Sequence, residues 1–101
     1  DLIKIDVQGY EPKVIEGLKK TILRSQQIVL ITEFWPKGIT DAGADAKVFL
    51  DNLRNLGLTI YELKSDGEIS EIYDDHDLIL RYQGRKYTNL IGRKQIKSSK
   101  T

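Results

Sequence analysis

Residues Asp1 to Leu18, Asp-Leu-Ile-Lys-Ile-Asp-Val-Gln-Gly-Tyr-Glu-Pro-Lys-Val-Ile-Glu-Gly-Leu, read as a strand joined to a helix through a glycine turn. Ile3, Ile5 and Val7 alternate with Leu2, Lys4 and Asp6, so an extended segment delivers Asp6 near its C-terminal end. Gly9 permits the sharp turn, and Pro12 suits the first turn of the helix that follows. Ligands of open α/β sheets sit outside the carboxyl ends of the strands, which makes Asp6 a candidate functional residue and Glu11 a second. A structural reading stays open beside it: carboxylates that cap or precede a helix N-terminus, where negative charge is favourable.

Further along, Val14, Ile15, Leu18 and Ile22 place one apolar stripe on a helix from about Glu11 to about Arg24. Ile28 to Phe34 is a nearly continuous apolar run, the pattern of a strand buried on both faces, with Glu33 close to its C-terminal end. Strand, helix and strand in that order make a right-handed crossover, hence parallel strands. Trp35 to Ala44, with its Gly, Pro, Thr and Asp, reads as a loop leaving the edge that carries Asp6 and Glu33. Ala46, Phe49, Leu50, Leu53 and Leu56 mark a second amphipathic helix stopped by Gly57. Leu58 to Leu63 then alternates Leu58, Ile60 and Glu62 against Thr59, Tyr61 and Leu63 as a third strand.

The βαβαβ succession predicts a layered α/β domain with a mainly parallel sheet. After the turn at Ser65-Asp66-Gly67, Glu68 to Tyr73 reads as a short strand or hairpin arm. Asp74 to Gln83 fits either a short helix capped by Asp75 and carrying Leu78, Ile79 and Tyr82, which is preferred, or a strand with Leu78, Leu80 and Tyr82 on one face, and Tyr87 to Arg93 fits a final strand pairing antiparallel with a sheet edge. The domain is expected to span residues 1–94 and a flexible basic tail residues 95–101.

Composition removes whole classes of function. The 101 residues carry 16 basic and 15 acidic side chains, so net charge gives no reason to expect nucleic acid or an anionic membrane as partner. The lack of cysteine excludes disulfides, thiolate metal sites and a cysteine nucleophile. No apolar run approaches the roughly 20 residues that span a bilayer and no signal-peptide succession occurs, so a cytoplasmic location is expected. There is no methionine, and the chain opens inside a strand pattern, which reads as a fragment of a longer polypeptide.

The acidic positions at consecutive strand ends, Asp6 and Glu33, form the best chemical constellation. Carboxylates there suit accepting a proton from an alcohol, holding a substrate hydroxyl, or binding a hard cation through oxygen. His76, the single histidine, stands in Asp74-Asp75-His76-Asp77, which reads as a solvated turn or cap and not as a metal site. Trp35 either walls a pocket at the active edge or closes the core. Without a Gly-rich phosphate loop, a GxSxG elbow or a His-Glu-x-x-His run, nucleotide hydrolysis and serine hydrolase chemistry leave contention.

Ile5 to Glu11, Ile-Asp-Val-Gln-Gly-Tyr-Glu, followed by Val14-Ile15-Glu16-Gly17, resembles the Ile-Asp-Val-Glu-Gly-x-Glu signature of FkbM-type S-adenosylmethionine-dependent methyltransferases. Ile31-Thr32-Glu33-Phe34 is similar to that family's next strand, Leu56 to Tyr61 to its Gly-Tyr-containing strand, and Asn89-Leu90-Ile91 to its closing strand. The resemblance implies a Rossmann-like methyltransferase sheet of which this chain supplies the C-terminal half: mainly parallel strands with a final antiparallel one. It implies S-adenosylmethionine as cofactor. The glycine-rich loop and the acidic strand end that make most cofactor contacts in such enzymes have no counterpart in this sequence.

Asp6 maps to the fourth-strand end beside the methyl-transfer site, and Glu11 to the second acidic position of the signature. Gln8 stands where the family has Glu, which removes one charge. The implied reaction is O-methylation of a hydroxyl on a sugar or other secondary metabolite. In it, Asp6 orients or deprotonates the hydroxyl, Glu11 holds the acceptor or braces the turn, and Glu33 lines the same pocket. The fragment alone is expected to be inactive. Two readings from other classes are a non-catalytic module that self-associates through an exposed sheet edge and a cation-dependent enzyme with Asp6 and Glu33 as oxygen ligands.

Overall fold

The computed structural model describes residues 2–5 and 11–94. Leu2–Ile5 forms strand β1 and Glu11–Arg24 helix α1, with the helix limits that the apolar stripe predicts. Ile15 and Ile22 are buried, with Val14 and Leu18 packed beside them. Strand β2, Ile28–Phe34, lies parallel to β1, with Leu2 beside Val29 and Ile5 beside Thr32. Its burial alternates, Ile28, Leu30, Thr32 and Phe34 being enclosed and Val29, Ile31 and Glu33 half-exposed. The strand expected to be buried on both faces is thus covered on one, because the buried apolar residues of all four helices join one cluster with Ile28, Leu30 and Phe34.

Trp35 to Ala44 is not an open loop. Pro36–Asp41 forms a short helix, α2, started by Pro36, whose fixed φ and missing N–H suit the first helical position. It ends where the N–H groups of Ala42 and Gly43 bond the carbonyls of Gly38 and Thr40, each at 3.0 Å. In helix α3, Ala46–Asn55, Asp45 is the cap, its side chain accepting from the Val48 N–H at 3.0 Å, and Gly57 leaves the helix at a φ of 91°. Strand β3, Thr59–Leu63, buries Ile60 and Glu62 as the alternation predicts, and β4, Ile69–Glu71, returns beside it as a hairpin arm. Helix α4, Asp75–Arg81, is capped by Asp74 and not by Asp75: the Asp74 side chain accepts from the Asp77 N–H at 3.0 Å. Strand β5, Thr88–Lys94, completes the sheet.

The five strands are ordered β1-β2-β5-β3-β4. Here the expectation of a mainly parallel sheet is corrected. The last strand is antiparallel as predicted, but it enters between β2 and β3 and not at an edge. Every pairing except β1 with β2 is therefore antiparallel, although β1, β2 and β3 run the same way. Residue choice in β5 suits a central position: Thr88, Leu90 and Gly92 are buried on the helix side, and a Cβ at Gly92 would stand 3.2 Å from the Leu58 side chain. At its end the Lys94 ammonium donates to the carbonyls of Ile22 (3.0 Å) and Leu23 (3.2 Å), where the C-terminal end of α1 favours a cation. Phe34 and Phe49 stack with centroids 6.4 Å apart in the core between sheet and helices. Among the described residues no helix is long and apolar enough to cross a membrane. The expected tail, residues 95–101, lies outside the described residues.

Candidate functional site

Because β1, β2 and β3 run the same way, their C-terminal ends share one edge, from which α1 starts and where β5 begins. Asp6 lies outside the described residues. Ile5, the last described residue of β1, is beside Thr32, one position before Glu33. Glu33 is half-buried, pairs in register with Asn89, and belongs to the sheet face away from the helices. Glu11, by contrast, is wholly enclosed in the first turn of α1, with 0% of its surface exposed. Both Glu11 and Glu33 are engaged in polar contacts. Parallel pairing thus brings the two strand ends together as the sequence predicts, while Glu11 is enclosed in the first turn of α1 and Glu33 stands on the open face.

Trp35 ties that edge together. Its indole Nε1 donates to the Gly84 carbonyl at 2.9 Å, linking the end of β2 to the connection between α4 and β5. Its ring lies on Gly38, where a Cβ would come within 2.2 Å of a ring carbon. Beside it runs a groove of about 580 Å³ lined by Pro36, Lys37, Asp45, Lys47, Gln83 and Gly84, among others. We expect Gly38→Ala to destabilise the protein by about 2 kcal/mol, since the ring must move and its bond to Gly84 is lost. Gly17→Ala, in the middle of α1 with nothing within 4 Å of the new methyl, is expected to stabilise it by roughly 0.5 kcal/mol. Chemical denaturation of the two variants checks the opposite signs.

A buried polar cluster at the same edge was not anticipated. Glu62, 1% exposed, accepts from Arg81 Nη1 at 3.0 Å, from the Thr88 hydroxyl at 2.9 Å and from the Tyr82 hydroxyl. Burial pushes its carboxyl up, but the bonds from Tyr82, Arg81 and Thr88 outweigh this and hold it below the usual Glu range. Arg81 also lies over the Tyr82 ring, 5.4 Å from its centroid. The cluster fastens the end of α4 to β3 and β5 and fixes the chain that carries Gly84. The signal in the sequence was Glu62 on the same alternating face as Leu58 and Ile60, a carboxylate placed on a core face.

A second cluster holds the start of α4. Asp75, buried at the first position of that helix, pairs with Arg54 at 2.5 Å and with Lys47 at 3.3 Å. Burial raises the Asp75 carboxyl, and the bonds and charges of Arg54 and Lys47 bring it below its ordinary value. His76 is exposed, and among the described residues no three His, Cys, Asp or Glu side chains converge as a metal site.

A cofactor with a nucleoside moiety needs backbone that approaches it at a strand-to-helix turn and a carboxylate for its ribose. Among the described residues the positive-φ glycines Gly43, Gly57, Gly67 and Gly84 follow helices or join two strands. The groove's carboxylates are committed, Asp41 to Lys37 at 2.7 Å and Asp45 to the cap of α3. The described residues therefore do not fit S-adenosylmethionine. The family model of the methyltransferase FkbM domain matches residues 1–87 of the chain. No curated protein and no solved structure matches the chain significantly.

Proposed function

Since the chain belongs to the FkbM methyltransferase family, we propose that it is the acceptor-side part of an S-adenosylmethionine-dependent O-methyltransferase acting on a hydroxyl of a sugar or secondary metabolite. The observation that carries this reading is the family match over residues 1–87, a stretch that includes Asp6, Glu11 and Glu33. In it the sheet is the second half of a Rossmann-like methyltransferase sheet. The common direction of β1, β2 and β3, with one antiparallel strand set among them, supports that reading.

Asp6 orients the acceptor hydroxyl and takes up its proton, Glu33 lines the pocket, and Glu11 has a bracing role from the first turn of α1. The protein acts in the cytoplasm on a small molecule.

The first test is the reading frame upstream of Asp1, where a strand followed by a glycine-rich turn some tens of residues earlier is expected. The product of that whole frame is expected to transfer a labelled methyl group from S-adenosylmethionine to a hydroxyl; labelling at nitrogen or carbon instead sinks the O-methyl reading. The 101-residue chain alone is expected to show weak or no binding of S-adenosylmethionine by calorimetry, and micromolar affinity would overturn that expectation.

A further inference from the structure

The groove beside Trp35, at about 580 Å³, has the size of a small-molecule site. It opens at the strand edge read above as the acceptor's: in its lining, Pro36 stands two residues after the end of β2 and Gly84 four residues before the start of β5. Its charged lining is balanced by close partners. Lys37 pairs with Asp41 at 2.7 Å, Lys47 pairs with Asp51 and, at 3.3 Å, with Asp75, and the Asp45 side chain accepts from the Val48 N–H at 3.0 Å.

The residues that follow Gly84 are not balanced. Gln83 to Lys86 is a turn closed by the Lys86 N–H on the Gln83 carbonyl at 3.3 Å, with Gly84 at its first corner at a φ of 67° and Arg85 at its second. The turn is held firmly. Trp35 Nε1 donates to the Gly84 carbonyl at 2.9 Å and Gln83 Nε2 to the Ile79 carbonyl at 2.7 Å, while the hydroxyls of Tyr82 before the turn and Thr88 after it meet on one oxygen, Oε2 of Glu62. Arg85 and Lys86 are both exposed on this fixed loop, and among the described residues neither forms an ion pair.

We propose that the groove holds the non-reacting part of the acceptor and that this acceptor is an acid, its carboxylate or phosphate bound by Arg85 and Lys86 at the groove's mouth. The inference rests on the acceptor-side reading of this edge and narrows it to one chemical class. Arg85 is joined directly to Gly84, which lines the groove, so the surplus positive charge stands where a bound molecule enters. A guanidinium meets a carboxylate or a phosphate with two parallel hydrogen bonds, and a loop whose backbone is already fixed loses little freedom when it does so. A neutral molecule leaves that charge unanswered, and a cationic one is repelled by it.

Trp35 is the single tryptophan, and its bond to Gly84 makes its emission a reporter of the groove. Titration of the 101-residue chain with glucuronate, glucose 6-phosphate and glucose, read by that emission, tests the proposal without methyl transfer. A saturable change in the millimolar range is expected for at least one acid, the tighter of the two naming carboxylate or phosphate, with glucose at least about tenfold weaker. Arg85→Gln and Lys86→Gln should each weaken the acid about fivefold, as should about 0.5 M sodium chloride. Both side chains are exposed, so circular dichroism should be unchanged in the variants. Glucose binding as tightly as the acids overturns the proposal, as does no response to any of the three, or acid binding indifferent to both variants. Methyl transfer by the product of the whole reading frame is read separately. Transfer without acid binding here removes this inference and leaves the methyltransferase reading standing, whereas acid binding without transfer leaves an acid site in the groove and removes that reading.

Discussion

Replacing Glu62 by Ala is expected to destabilise the protein by about 3 kcal/mol, read as a lower urea midpoint at unchanged slope. The carboxylate is 1% exposed and receives Arg81, Tyr82 and Thr88, so its removal leaves three donors facing a cavity without an acceptor. The reverse truncation should cost less. Arg81 is 39% exposed and also bonds Asp77, so solvent compensates much of its loss, and Arg81→Ala is expected to cost about 1 kcal/mol. Tyr82→Phe should cost a similar amount, the value of one buried hydrogen bond.

The same cluster predicts a pH dependence. The folded-state carboxyl of Glu62 lies below its ordinary value of 4.5, so its ionisation contributes stability above that value and loses it as the pH falls through the folded-state range. Glu62→Gln should remove that part of the acid sensitivity. Equal losses for Glu62→Ala and Arg81→Ala would show that the cluster is not centred on the carboxylate.

Glu62 also shows how far the sequence could be read. Its burial was legible in the alternation with Leu58 and Ile60, whereas its partners are 19, 20 and 26 residues away and meet it only through the sheet. The same holds for β5. Its extended, antiparallel character is local, but its insertion between β2 and β3 depends on pairings that join residues as distant as Ile28 and Lys94. Helix α2 was missed because six residues are too few to display a period, and its start is marked by Pro36 alone. Glu11 was within reach: at four positions before Ile15 and seven before Leu18 it continues the stripe of α1, so the periodicity that defined the helix also implied that this carboxylate is enclosed.

That enclosure separates the three acidic positions, and the separation can be measured. In the product of the whole reading frame, Asp6→Asn is expected to lower methyl transfer by about 10²-fold or more at unchanged stability, the effect of losing a group that holds and accepts the acceptor's proton. Glu33→Gln should act mainly on KM, by about tenfold, because a half-exposed side chain on the open face contributes to binding an acceptor and not to its proton. Glu11→Gln should behave differently from both. A side chain with 0% exposure in the first turn of α1 has no surface to offer a substrate, and an acidic residue in a first helical turn is favourable to the helix. Its loss is therefore expected as about 1 to 2 kcal/mol of stability, with the folded fraction keeping its rate. A rate loss at unchanged stability in Glu11→Gln would instead put Glu11 in contact with the acceptor, and an unchanged rate in Asp6→Asn would remove Asp6 from the chemistry.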